Sequence, residues 1–203
     1  MSNEQMDIIG IGAALVDVFA DITEEDLSRL NMPKGAMTLI DINASKDLLD
    51  QINVHTSTVG GSAANTIAGT ASLGMSSGFI GKVANDSFGD IFANDLSKMN
   101  IKLFGQPLNN DTPTGKCIVL ITPDAERTMN TFLGASEEFT DSDIDQSALL
   151  NSEWFYIEGY LLTDNNRTAI VKEAVTSAKK SGVKIALSLS DPFVAQIFAD
   201  NLN

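Results

Sequence analysis

Val59-Gly60-Gly61-Ser62-Ala63-Ala64-Asn65-Thr66-Ile67-Ala68-Gly69-Thr70-Ala71-Ser72-Leu73-Gly74 is the stretch from which the fold is read. A glycine pair permits positive φ and close approach of the backbone to another group. Ser62 to Leu73 follows with helical spacing, and the small residues Ala64, Ala68 and Ala71 would let that helix lie close on a sheet. The short apolar run Ser76 to Ile80 comes next and reads as a buried strand. The same alternation continues in both directions along the chain. Strands are expected at Asp7 to Ile11, Ser76 to Ile80, Trp154 to Glu158 and Val183 to Leu187. Helices are expected at Ser45 to Ile52, Ser62 to Leu73, Ser87 to Met99, Asn165 to Ser181 and from about Pro192 onward. The class is therefore α/β, with helices stacked on a largely parallel sheet.

Two stretches depart from this rhythm. Ala36 to Ile42 is one; the other is Gly115 to Phe132, where alternating strands flank the turn Thr122-Pro123-Asp124-Ala125-Glu126 and form a hairpin. Strands that leave an α/β sheet and return to it suit a small β lid over the ligand end. The 203 residues carry a net charge of -14, with 13 Lys+Arg against 27 Asp+Glu. A field of that sign opposes nucleic acid and anionic membrane surfaces, so neither is an expected partner. Cys117 and His55 are the sole residues of their types, which leaves neither a disulfide framework nor a Cys/His zinc cluster. Met1-Ser2-Asn3-Glu4-Gln5 lacks the basic region of a signal peptide, no apolar run is long enough for a membrane span, and the chain reads as cytoplasmic.

Several residues are candidates for binding. Gly60 and Gly61 place free helical N–H groups and the positive end of a helix dipole at one spot, which suits hydroxyls or anions; a tight turn explains them equally. Asn65, one turn into the helix, offers both a donor and an acceptor to a polyol. Asp17 follows the first strand, near the carboxyl end where open α/β sheets bind ligands, and could accept two sugar hydroxyls or merely cap a turn. Glu158 ends an apolar strand and would project toward the same rim, as a ligand contact or as a solvated charge. Arg127, on the returning strand of the hairpin, would hang over the site as a partner for an anionic or polar ligand, or sit solvated on the lid. Gly10-Ile11-Gly12 lacks the third glycine of a dinucleotide fingerprint, and neither Gly81-Lys82 nor Gly115-Lys116 belongs to a P-loop. His55 and Cys117 are read as structural.

Four stretches together resemble the ribokinase (PfkB) family of carbohydrate and nucleoside kinases, most closely its adenosine-kinase-like branch. They are Gly10 to Asp17, Gly60-Gly61-Ser62-Ala63-Ala64-Asn65, Phe79 to Gly89 and Tyr156 to Thr163, with a fifth at Leu189-Ser190-Asp191-Pro192-Phe193. The resemblance implies a three-layer α/β/α sheet with a small β-sheet lid, the C-terminal part of the core missing. Core segments 1-16, 43-110 and 136-203 and lid segments 17-42 and 111-135 would form a single incomplete kinase domain. It further implies transfer of the γ-phosphoryl group of ATP, with Mg2+, to a sugar hydroxyl of a nucleoside or carbohydrate. Asp17, Gly60, Gly61 and Asn65 match the family's contacts to the acceptor sugar, Glu158 a substrate-side carboxylate, and Arg127 a lid arginine. Ser188 stands where the family often has an asparagine near the phosphates and metal. The family's Asn-x-x-Glu metal motif and Gly-Ala-Gly-Asp segment, which carries the general base, do not occur: no glutamate follows an asparagine by three, and the one Gly-Asp pair is Gly89-Asp90. The expectation is thus an inactive N-terminal fragment of such a kinase, or else a binding protein that keeps the sugar pocket. An exposed lid strand could pair with a second lid in a homodimer.

Overall fold

Two five-stranded sheets organise the chain in the computed structural model, which describes residues 5–202. The expectation drawn from Met1 to Glu4 lies outside the described residues. The strands are β1 (Met6–Ile11), β2 (Leu15–Asp21), β3 (Met37–Leu39), β4 (Val54–Gly60), β5 (Ser77–Ile80), β6 (Lys102–Phe104), β7 (Gly115–Ile121), β8 (Arg127–Phe132), β9 (Ser152–Glu158) and β10 (Lys184–Ser188). The helices are α1 (Glu24–Arg29), α2 (Ile42–Leu49), α3 (Ser62–Ser72), α4 (Ser87–Lys98), α5 (Gln146–Leu150), α6 (Asn165–Lys180), α7 (Pro192–Ile197) and α8 (Ala199–Leu202).

The first sheet runs β10-β9-β1-β5-β6 with every pair parallel. Strand alternation sorts its side chains between two cores. Ile8 and Phe79 face α3 and α4, packing on Ala63, Ile67, Phe92 and Leu96. Ile9, Ile11, Phe155 and Ile157 face α5 and α6, packing on Leu149, Val171, Ala174 and Ala178. Helices on both faces of a parallel sheet make the three-layer α/β/α core read from the sequence. Gly10 shows why the first strand needs glycine: a Cβ there would come within 2.5 Å of Ile67 Cγ1, so its absence lets α3 settle onto β1. β10 pairs on one side alone, with β9.

The second sheet runs β3-β8-β7-β2-β4, mixing parallel and antiparallel pairs. Its outer face is closed by α1 and α2, whose Leu27 and Leu48 pack against Ala20, Ile118 and Leu120. This is the β lid, and the β7–β8 hairpin lies where its turn residues placed it. One boundary is corrected. Residues 54–60, assigned from the sequence to a core segment, form β4 and pair antiparallel with β2 at the edge of the lid sheet. The run Val54-His55-Thr56-Ser57-Thr58 hides this, because the face of an edge strand that meets water carries no apolar alternation. Helix α2 starts at Ile42 rather than Ser45, since Asp41 Oδ1 accepts the backbone N–H groups of Asn43 and Ala44, 2.9 Å each, as an N-cap.

Asp86 ties the lid to the core. Its carboxylate accepts Gly89 N–H at 2.8 Å, capping α4, and also takes Thr114 N–H at 2.9 Å and Thr114 Oγ1 at 2.7 Å just before β7 begins. Burial works against ionisation of Asp86, but these hydrogen bonds outweigh it and hold the carboxyl below its ordinary range. The Asn85-Asp86-Ser87-Phe88-Gly89 stretch therefore anchors the point at which the chain enters the lid hairpin.

Candidate functional site

A cavity of about 370 Å3 opens between the concave face of the lid and the carboxyl ends of the core strands. Period-two alternation decides what faces it. On β2, Leu15, Asp17 and Phe19 line the cavity while Val16, Val18 and Ala20 turn away into packed cores. On the hairpin, Val119 pairs with Met129 and Ile121 with Arg127, so Met129 and Arg127 share the cavity face of β8. Apolar side chains of the lid thus surround Asp17, with Arg127 as the second charge on the lid's cavity face.

The floor is built on Gly61 and Glu158. Gly61 is the N-cap of α3 with φ +89°, and a Cβ there would approach Ala13 O to 2.6 Å. Only glycine takes this geometry without strain, and it turns the start of α3 and Asn65 toward the cavity. Gly61→Ala is expected to cost about 2 kcal/mol, read as a lower urea midpoint with unchanged slope. Glu158 is buried at the end of β9. Its Oε2 accepts Ala13 N–H at 2.7 Å, and its Oε1 accepts Ser62 Oγ–H and Ala63 N–H. Gly12 leaves room for this carboxylate, since a Cβ there would sit 2.8 Å from Oε2. Glu158 therefore clamps the β1–β2 turn to the first residues of α3.

Electrostatics set Asp17 apart. Burial pushes its pKa up to about 6, partly opposed by the charge of Arg127 on the same lid sheet. No protein donor hydrogen-bonds its carboxylate among the described residues, so both oxygens remain available to a ligand. Cys117, beside it on β7, is held as a thiol: burial pushes its pKa to about 11, and it accepts Thr131 Oγ1–H at 3.5 Å.

Comparison with known proteins identifies the group to which this architecture belongs. The model of the pfkB family of carbohydrate kinases matches residues 34–203. The chain belongs to that family. Adenosine kinase of Saccharomyces cerevisiae is 32% identical over 206 residues, an alignment that takes in 96% of this chain and 59% of the yeast protein. The crystal structure of adenosine kinase from Sinorhizobium meliloti superposes with a TM-score of 0.89 at 34% identity, covering 98% of this chain and 61% of that one. A probable chloroplastic fructokinase of Arabidopsis thaliana is 32% identical over 127 residues, 61% of this chain and 33% of the plant protein. This pfkB chain thus spans about three fifths of the length of the adenosine kinases it matches.

Of the residues singled out from the sequence of this pfkB chain, Asp17, Gly61, Asn65, Arg127 and Glu158 all line one cavity. Asp17 reaches it from within a lid strand rather than from the end of the first core strand. Glu158 is not the solvated, rim-projecting charge that its place at a strand end suggested; three donors from the protein hold it. Gly60 is not on the cavity wall. A Cβ there would lie 2.1 Å from Asp17 Oδ1, so Gly60 leaves space for the Asp17 carboxylate. Ser188 is likewise off the wall, its Oγ accepting Ser190 N–H at 3.0 Å. Sequence reading passed over Phe19, Met129, Tyr160 and Arg167, which also line the cavity. Counting by twos from Asp17 and Arg127 would have found the first two; Tyr160 lies in a short 3-10 turn after β9 and Arg167 in the first turn of α6, where spacing does not show which side chains reach the cavity.

Proposed function

We propose that this chain carries the acceptor-sugar half of an ATP-dependent kinase that phosphorylates a sugar hydroxyl of a nucleoside. The observation that carries the reading is the convergence of Asp17, Gly61 and Asn65 on one cavity whose lid side is mostly apolar, with Arg127 as its other charge. A carboxylate without a protein donor accepts two vicinal hydroxyls, and Asn65 adds a donor and an acceptor. Phe19, Val119 and Met129 present apolar surface suited to a planar base; a plain hexose would leave it wet. The resemblance to yeast adenosine kinase over 96% of this chain favours a nucleoside over the resemblance to a fructokinase over 61% of it.

Among the described residues no group of three or more His, Cys, Asp or Glu could hold a metal ion, and the sequence has neither Asn-x-x-Glu nor Gly-Ala-Gly-Asp. No step through ATP or Mg2+ is therefore assigned to these residues. What the chain does is bind and orient: Asp17 takes the sugar hydroxyls, and the lid excludes water from them. The protein should bind nucleoside and, alone, transfer nothing. With γ-labelled ATP, Mg2+ and a panel of adenosine, inosine, ribose and fructose, the expected result is no labelled product, with saturable binding of nucleosides stronger than that of ribose. Labelled product from this chain, or binding of fructose with no binding of nucleosides, would refute the reading.

A further inference from the structure

Arg167 lines the cavity, and its side chain has no partner among the described residues. It stands in the first turn of α6, where Asp164 Oδ1 accepts its backbone N–H at 2.9 Å and fixes the helix start. Its guanidinium makes no hydrogen bond or ion pair with the described residues, and Nε is buried with nothing to donate to. A guanidinium has five N–H donors and no acceptor, and a buried donor without a partner is costly. The terminal Nη groups are neither enclosed nor paired with the described residues, so a ligand that supplies acceptors at this wall would pair with them.

Three carboxylates bear on what that ligand can be. Asp17, Glu158 and Asp191 line the same cavity and outnumber its cations Arg127 and Arg167, so a neutral ligand is favoured over a fully anionic one. A ligand with carbonyl and ring-nitrogen acceptors meets that condition. The aromatic side chains of Tyr160 and Phe193 also line the cavity, with ring centroids 6.0 Å apart, and offer a surface to a flat heterocycle. A purine with a 6-oxo group presents adjacent O6 and N7 acceptors, which an arginine fork matches with two parallel hydrogen bonds. Adenine places an amino donor where O6 would be, and that donor would oppose the N–H groups of Arg167.

We infer that the acceptor is a 6-oxopurine nucleoside, inosine or guanosine, with its base held by Arg167. This rests on the nucleoside-binding reading above and narrows it. The test is calorimetric titration of the wild-type chain and of Arg167→Met with inosine, guanosine and adenosine, with thermal melting to show that the variant is folded. The wild type is expected to bind the two 6-oxopurine nucleosides at least about 10-fold more tightly than adenosine, and Arg167→Met to erase that difference while still binding all three. Adenosine bound as tightly as inosine by the wild type, or a preference that survives in Arg167→Met, would overturn the inference while leaving the nucleoside reading intact. Failure of all three nucleosides to bind the wild type would overturn both.

Discussion

Replacing Glu158 with alanine is expected to lower the unfolding free energy by roughly 3 kcal/mol, the largest stability effect of any single change at the site. The substitution leaves Ala13 N–H and Ser62 Oγ–H without their acceptor beneath the cavity, and it opens a void against Gly12 and Ala63. Burial raises the Glu158 pKa, against the opposing hydrogen bonds from Ser62 and Ala13, so the native carboxylate itself carries a desolvation cost that alanine removes. The orphaned donors outweigh that relief. Glu158→Gln keeps the shape and one acceptor oxygen for Ala13, and Ser62 can rotate to accept from the new amide; its expected cost is about 1 kcal/mol. Urea unfolding of both variants reads the difference. Two variants within about 0.5 kcal/mol of wild type would show that the clamp does not hold the turn to the helix.

Asp17→Asn is expected to stabilise the protein at pH 7 while it weakens ligand binding. The Asp17 pKa rises from 3.8 to about 6 on folding, because burial disfavours its charge. The folded state therefore binds more protons than the unfolded state between those values, and stability from this group is complete below pH 4 and lost as pH rises through 6. Asparagine has no charge to bury. Because the side chain is half-buried, solvent screens part of the effect, and roughly 1–2 kcal/mol is expected, a melting temperature about 3–6 °C higher at pH 7 and unchanged near pH 4. The lowered carboxyls of Asp86 and Asp95 give the opposite slope in both proteins and cancel in the difference. Melting curves at pH 4, 5, 6 and 7 check the sign; an Asp17→Asn protein that melts lower than wild type at pH 7 would contradict the desolvation account. A carboxylate held at a cost to folding is the pattern of a binding group rather than of a structural one.

The stretch from Val59 to Gly74 was legible because each of its features has one physical demand behind it. Gly61 has the positive φ that a glycine pair permits, and α3 lies close on β1 as its small residues suggested. Apolar runs buried on both faces, such as Phe79 and Ile80 of β5, announce parallel strands for the same reason. The lid was legible only where turn chemistry spoke, at Thr122 to Glu126. Its β4 strand stayed hidden because one side of it meets water, and α2 was shortened because the cap at Asp41 precedes any apolar repeat. At the site, residue type identified which groups could contact a polyol but not what each one touches. Glu158 and Gly60 had to be seen in three dimensions, since a carboxylate satisfied by three donors and a glycine backing an aspartate look the same in sequence as ligand contacts. Arg167 shows the converse limit: its significance lies in lacking a partner, and no spacing encodes that.

The most direct test of the central claim is the heat of nucleoside binding to this chain and to Asp17→Asn at pH 7.5, without ATP or Mg2+. The account predicts a single saturable site in the wild type and an affinity about 10- to 100-fold weaker in Asp17→Asn, the loss of charge-assisted hydrogen bonds to the sugar. Identical isotherms for the two proteins, or no heat of binding with the wild type, would contradict it.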